Sequence, residues 1–251
     1  MTRHQFLRVE TYNRGSSQGI ISEANRDPGF TAHIDAPGIA RWRIGSAEIV
    51  RERMTSYMQK PAQVKAKSGR LLERVKRVDH RCLVSGVMSW PDTVSESLSK
   101  EYQKREDFKK WHDDSIRWLE SKYRESLFGV CLHMDESHPH LHFFVVGDAN
   151  RLHPGLRCEF VNDIRIVDSG ARFKAYKLGL RNWLRDYHTS VGQACGLHFV
   201  ERLNPAPRIA DRALWIRIAA IDKILAESPN TEAQILRDEL VNSLRVKGLN
   251  E

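Results

Sequence analysis

Residues 131–146 read CLHMDESHPHLHFFVV. Within the stretch, His133, His138, His140 and His142 place four of the chain's eleven histidines in ten positions. The apolar runs SLFGVCLHM and HLHFFVVGD flank the turn-like residues DESHP, which is the pattern of a β-hairpin. His140 and His142 are two apart on the second strand, so both imidazoles leave the same face. His133 closes the first strand and, in a hairpin, lies across from His140. Three imidazoles then converge, and Glu136 in the turn is within reach as a fourth ligand or as an acid/base. Neutral imidazoles with water or a carboxylate hold a divalent cation while leaving positions open, as a catalytic metal requires. Asp135 is placed to orient an imidazole, Pro139 stiffens the turn, and His138 is expected to be exposed. The i, i+2 spacing on a strand excludes the helical H-E-x-x-H pattern of zinc proteases.

Outward from the hairpin, HQFLRVETY (4–12) alternates as a first strand, and GIISEANRD follows as a short helix stopped by PGF. HIDAPGIARWRIG is expected to be irregular. Ser46 is a candidate N-cap for a helix over SAEIVRERMTSYMQ, with Ile49, Arg53 and Tyr57 on one stripe. CLVSGVMSWP reads as a strand. Thr93 to Tyr123 reads as one long amphipathic helix that buries Tyr102, Phe108, Trp111, Ile116, Trp118 and Leu119. Helical pattern resumes through FKAYKLGLRNWLRDYHTSVGQACG. A proline-bearing linker is expected at 203–210, with helices at about 211–227 and 231–246; Leu214, Ile218, Ile221 and Leu225 share one side of the first. The order predicts an α+β fold with an antiparallel sheet and flanking helices, followed by C-terminal helices. The expected domains are residues 1–202 and a helical extension, 203–251.

With 40 Lys and Arg against 32 Asp and Glu, the formal charge is +8, and the pI of 9.4 favours a polyanionic partner. Residues 60–81 hold Lys60, Lys65, Lys67, Arg70, Arg74, Lys76, Arg77 and Arg81 against Glu73 and Asp79. They read as a solvated loop leading into a charged element, or as a basic arm following a phosphate backbone. Cys82, Cys131, Cys158 and Cys195 form no C-x-x-C pair, so free thiols are expected. No apolar run is long enough for a signal-peptide core or a membrane span, so a cytoplasmic protein without membrane insertion is expected.

HMDESHPHLH resembles H-x-D-E-x-x-P-H-x-H, the metal motif of the MobV/Pre plasmid mobilisation relaxases, members of the HUH endonucleases. The resemblance implies a five-stranded antiparallel sheet with flanking helices. It implies metal-dependent nicking and strand transfer on single-stranded plasmid DNA at an origin of transfer, with accessory mobilisation or coupling proteins as further candidate partners. His133, His140 and His142 would bind Mn²⁺ or Mg²⁺, with Glu136 on or beside the metal. The family carries a histidine nucleophile in an H-N-x-R signature on the short helix after the first strand. Here ISEANRDPG places Glu23 at that histidine's position and Arg26 at the arginine's. Tyr12 and Glu23 are the leading candidate nucleophiles, followed by Tyr57 and His33, and hydrolysis by metal-bound water is a further route. Arg14, Arg26, Lys65, Lys67 and Arg70 are candidate DNA contacts. The competing readings are a cleavage-deficient single-stranded DNA binder on the same fold, a rolling-circle replication initiator or transposase, and a small-molecule metallohydrolase.

Overall fold

The central strands are apolar on both faces, so the sheet must be covered twice. The computed structural model describes residues 3–32, 34–66, 68–157 and 168–199, and beyond them 221, 225, 231 and 234–239. The chain divides into two compact units, Met1–Val200 and Glu201–Glu251.

In the first unit the elements run β1 (Phe6–Asn13), α1 (Ser17–Ala24), β2 (Arg41–Gly45), α2 (Ala47–Gln59), β3 (Ala62–Lys65), β4 (Leu71–Arg74), β5 (Arg81–Ser89), α3 (Val94–Ser97), α4 (Tyr102–Tyr123), β6 (Leu127–His133), β7 (His140–Val146), α5 (Ala149–Leu152) and α6 (Ser169–Tyr187). Five strands pair in the order β1-β5-β7-β6-β2, every pair antiparallel. All seven residues of β7, at the centre, are buried.

Alternation along the strands divides the core in two. Val84, Met88, Leu141, Phe143 and Val145 face Trp111, Trp118 and Leu119 of α4 and Trp183 and Tyr187 of α6. Leu83, Phe144 and Val146 face Ile21 and Ala24 of α1 and Ala47, Val50 and Met54 of α2. His140 and His142 share this second face, which places the histidines on the side covered by α1 and α2.

Three expectations are corrected. Within the segment expected to be irregular, Arg41–Gly45 forms edge strand β2 against β6. Trp42 and Ile44 pack into opposite cores, and two exposed arginines hid that alternation. The buried side of α2 is Ala47, Val50 and Met54, not the stripe through Ile49, which is exposed. Small residues let the helix approach the sheet, and a Cβ on Gly129 would lie 2.9 Å from Val50. The long helix starts late: Thr93 and Glu96 close a capping box on the short α3, and α4 begins at Tyr102, which is exposed rather than buried. In the basic stretch, the charged element expected after a loop is strand: β3 and β4 form a separate two-stranded ribbon.

Other expectations hold. Ser46 caps α2, its hydroxyl accepting from the Ile49 N–H at 3.3 Å. Before it, Gly45 sits at φ +59°, where a Cβ would lie 2.0 Å from the Phe128 carbonyl oxygen, so only glycine fits. Cys82, Cys131 and Cys195 are free and buried; Cys158 lies outside the described residues. So do the linker at 203–210, Leu214 and Ile218, and most of the expected C-terminal helices. No helix among the described residues is long and apolar enough to cross a membrane.

Candidate metal centre and nucleic-acid interface

The β6–β7 pairing sets His133 opposite His140 and Cys131 opposite His142. The three imidazoles are buried, with ring centroids 5.0 Å (His133–His140), 4.7 Å (His133–His142) and 5.2 Å (His140–His142) apart. One nitrogen from each lies within 4.8 Å of the other two.

Hydrogen bonding assigns the tautomers. His133 Nε2 lies 2.8 Å from the Ala24 carbonyl oxygen and His140 Nδ1 lies 3.0 Å from that of His138. A carbonyl only accepts, so both of these nitrogens carry the proton. The remaining nitrogens, His133 Nδ1 and His140 Nε2, face each other at 3.2 Å. His142 Nδ1 is buried with no hydrogen-bond partner. Burial pushes the His133 pKa down to about 4 and drives that of His142 well below the usual histidine range. Three buried imidazoles with converging nitrogens are a donor set suited to a divalent cation. Two imidazole nitrogens at ~2.1 Å from one ion, at octahedral or tetrahedral angles, stand ~3.0–3.4 Å apart. The 3.2 Å separation fits a shared metal.

The turn supplies carboxylates. Glu136 Oε1 lies 3.5 Å from His140 Nε2, on the open side of the cluster. Asp135 and Glu136 form a second possible ligand group with His133. Asp135 is held chiefly by Arg26. Its two oxygens accept from Arg26 Nε and Nη2 at 2.9 and 2.7 Å, and the Gly38 N–H donates to it at 2.9 Å. Burial would raise the Asp135 pKa, but these donors outweigh it and hold the carboxylate below its ordinary value. Arg26 Nη2 also reaches Glu136 at 2.9 Å. With its side chain only 4% exposed, Arg26 clasps the turn that carries Asp135 and Glu136. His138 is exposed as expected.

Tyr12 shares the histidine face, in register with Leu83 and through it with Val146. It stands four residues along β1 from the row that holds His142, roughly 13 Å at strand rise. Its hydroxyl donates to Glu10 Oε2 at 3.0 Å. Burial and the Glu10 charge raise its pKa, and the Glu23 charge adds to the rise. Glu23 immediately precedes Ala24, whose carbonyl anchors His133.

Tyr57 is placed elsewhere. Its hydroxyl lies 3.1 Å from His80 Nε2, Lys76 Nζ lies 4.3 Å from its ring centroid, and burial pushes its pKa up to about 12. These contacts fasten α2 to the foot of the β3–β4 ribbon. Arg14 is exposed in the turn after β1, and Arg70 is exposed at the ribbon tip. Lys65 belongs to β3. Lys67 and His33 lie outside the described residues. Sequence reading missed the Ala24 carbonyl, which carries no residue signal. It also missed Glu10, which the alternation of β1 already set on the face of Tyr12.

A family model described as plasmid recombination enzyme, Mob_Pre, matches residues 1–185. The chain belongs to this Mob/Pre family. Every histidine, carboxylate and arginine of the centre falls within the matched span. Among solved structures, the chain is similar to the MobM relaxase domain bound to 22-nucleotide plasmid pMV158 oriT DNA in a manganese-bound crystal structure at pH 4.6. That match has 14% identity, 85% of this chain and 99% of the other covered, and a TM-score of 0.48. The 23-nucleotide complex at pH 6.5, also manganese-bound, gives 16% identity, 86% and 98% coverage, and a TM-score of 0.48. The conjugative relaxase TrwC, metal-bound with oriT DNA, gives 12% identity, 98% coverage of each chain and a TM-score of 0.34. No curated protein matches the chain significantly.

Proposed function

We propose that this Mob/Pre protein is a relaxase that nicks single-stranded DNA at a plasmid origin of transfer and rejoins it, with a divalent ion, Mn²⁺ or Mg²⁺, as cofactor. We assign the catalytic module to residues 1–202 and a helical extension to 203–251. The observation that carries the reading is the convergence of His133, His140 and His142, one ring nitrogen from each within 4.8 Å of the other two and His133 Nδ1 3.2 Å from His140 Nε2. These nitrogens would hold the ion, with Glu136 on its open side. When bound, a divalent ion there polarises the scissile phosphate and offsets charge on its oxygens.

The attacking oxygen comes from Tyr12 or Glu23. For Tyr12, Glu10 stands at 3.0 Å to take the phenol proton. The new bond joins the side-chain oxygen to phosphorus, and the bond to the 3′ oxygen breaks. That oxygen takes up a proton, and the 5′ end stays on the protein. The covalent link keeps the phosphodiester energy, so the reverse step reseals the strand. Attack by Glu23 gives an acyl phosphate by the same balance, more labile to water. Exposed Arg14 and Arg70, with Lys65 and Lys67, supply backbone contacts in this reading.

The test is incubation of the protein with labelled origin-strand DNA in Mn²⁺ or EDTA, followed by denaturing gels and adduct mapping by peptide mass spectrometry. Metal-dependent cutting that is lost in His142→Ala, with an adduct on Tyr12 or Glu23, is expected. Binding of verified origin DNA without cutting in Mn²⁺ would overturn the enzyme and leave a DNA-binding protein.

A further inference from the structure

Strand β1 carries a row of side chains that the metal centre does not use. Pairing runs Phe6 to Ser89 to His140 to His133 in one row across the sheet, and Arg8 to Val87 to His142 to Cys131 in the next. Residues paired across antiparallel strands share a face, so Phe6 and Arg8 project on the same side as the three histidines. Two strand spacings, about 10 Å, separate them from β7. Between lie only Ser89 and Val87, both partly exposed and neither large. The floor from the metal centre to β1 is therefore shallow and uncharged.

At its far side stand an aromatic ring and a cation. Phe6 is 50% exposed although it sits on the sheet face rather than at a chain end. Arg8 is also exposed, its Nε donating to Glu10 Oε1 at 3.0 Å, while Glu10 accepts from Tyr12 through its other oxygen. Glu10 thus lays the guanidinium along β1 with Tyr12 bound to the same carboxylate. An exposed ion pair of this kind is weak, so a phosphate can displace it. An open aromatic face beside a displaceable guanidinium, next to a phosphate-handling centre, has the chemistry of a single-stranded nucleic-acid track: bases stack on rings and cations follow the backbone.

We infer that Phe6 and Arg8 form a DNA-positioning subsite, in which Phe6 stacks a base flanking the bond to be cut and Arg8 grips the phosphate beside it. The inference rests on the relaxase reading and adds to it where the strand enters the site. The occupant is single-stranded DNA. A duplex keeps its bases stacked on one another and offers none to Phe6.

The experiment is fluorescence anisotropy of the full chain with a labelled single strand from the plasmid's origin, in EDTA so that nothing is cut, repeated with abasic sites replacing single nucleotides. Phe6→Ala is expected to weaken binding roughly 5- to 150-fold, the span of one base–aromatic stack, and Phe6→Trp to retain it. Phe6→Leu, which keeps apolar bulk without a π face, should resemble Phe6→Ala. At one abasic position, wild type and Phe6→Ala should bind equally, which identifies the stacked nucleotide. Arg8→Gln should reduce the slope of log affinity against log salt by about 0.7. Equal binding by Phe6→Ala, or a deficit that persists at every abasic position, overturns the subsite. If the wild type cuts origin DNA while both variants bind normally, only this inference falls. If the wild type binds no single strand, the relaxase reading falls with it.

Discussion

Replacing Arg26 with alanine should damage the protein by leaving charge behind rather than by removing bulk. The guanidinium is 4% exposed and makes two bonds to Asp135 and one to Glu136. Without it, Asp135, 11% exposed, keeps only the Gly38 N–H among these donors. Breaking a buried pair from one side costs about 3–5 kcal/mol. Asp135 retains some water and Glu136 is 35% exposed, so the low end, about 3 kcal/mol, applies. For a chain of this size that is a fall in Tm of about 6–12 °C. The assay is urea denaturation of Arg26→Ala, Asp135→Asn and the double variant. Because the cost lies in the uncompensated carboxylate, Arg26→Ala/Asp135→Asn should recover a large part of the loss. Strictly additive single effects would refute the reasoning, since they would mean that Asp135 does not depend on Arg26 for its charge.

Two further outcomes follow from the histidines. Excess Mn²⁺ should raise the melting temperature of the wild type, by about 2.7 kcal/mol of stability at a hundredfold excess over Kd. The same addition should leave His142→Ala unmoved; equal stabilisation of both would place the ion elsewhere. His153 is buried, its Nδ1 accepting from the Gly155 and Leu156 N–H groups at 3.2 and 3.3 Å, and burial pushes its pKa down to about 4 from 6.5. The unfolded chain therefore binds the extra proton first as pH falls. The stability linked to this group is present in full above pH 6.5 and is lost between 6.5 and about 4. Denaturation across that window should show a shallower acid limb in His153→Gln, and an unchanged limb would remove His153 from the account.

The hairpin was legible because two independent signals coincide in it. Apolar runs on either side of DESHP set the strands, and the i, i+2 histidines set the face, so the pairing of His133 with His140 followed. β2 was not legible because an edge strand needs only Trp42 and Ile44 to bury, and five residues with two arginines resemble a loop. The carboxylate partners of Arg26 were not legible for a different reason. In a basic chain an arginine reads as a phosphate contact, and nothing near it announces a carboxylate 109 positions away. Long-range electrostatic pairing leaves no periodic trace.

The same clasp shows how the site is assembled. Consecutive residues at the end of α1 each tie to a different element. The Glu23 charge adds to the raised pKa of Tyr12 in β1, the Ala24 carbonyl accepts from His133 Nε2 of β6, and Asn25 Oδ1 accepts from Trp42 Nε1 of β2 at 3.0 Å. Arg26, turned to φ +60°, reaches Asp135 and Glu136, and Asp27 Oδ2 pairs with Arg51 of α2 at 2.9 Å. A residue other than glycine is held in the left-handed region only when its surroundings fix it, and these neighbours do so. The tautomer of His133 and the placement of Asp135 and Glu136 are therefore set by one short turn. Displacing that turn would move the supports of His133, Asp135 and Glu136 together, so their mutual geometry is held by one element and not by separate supports.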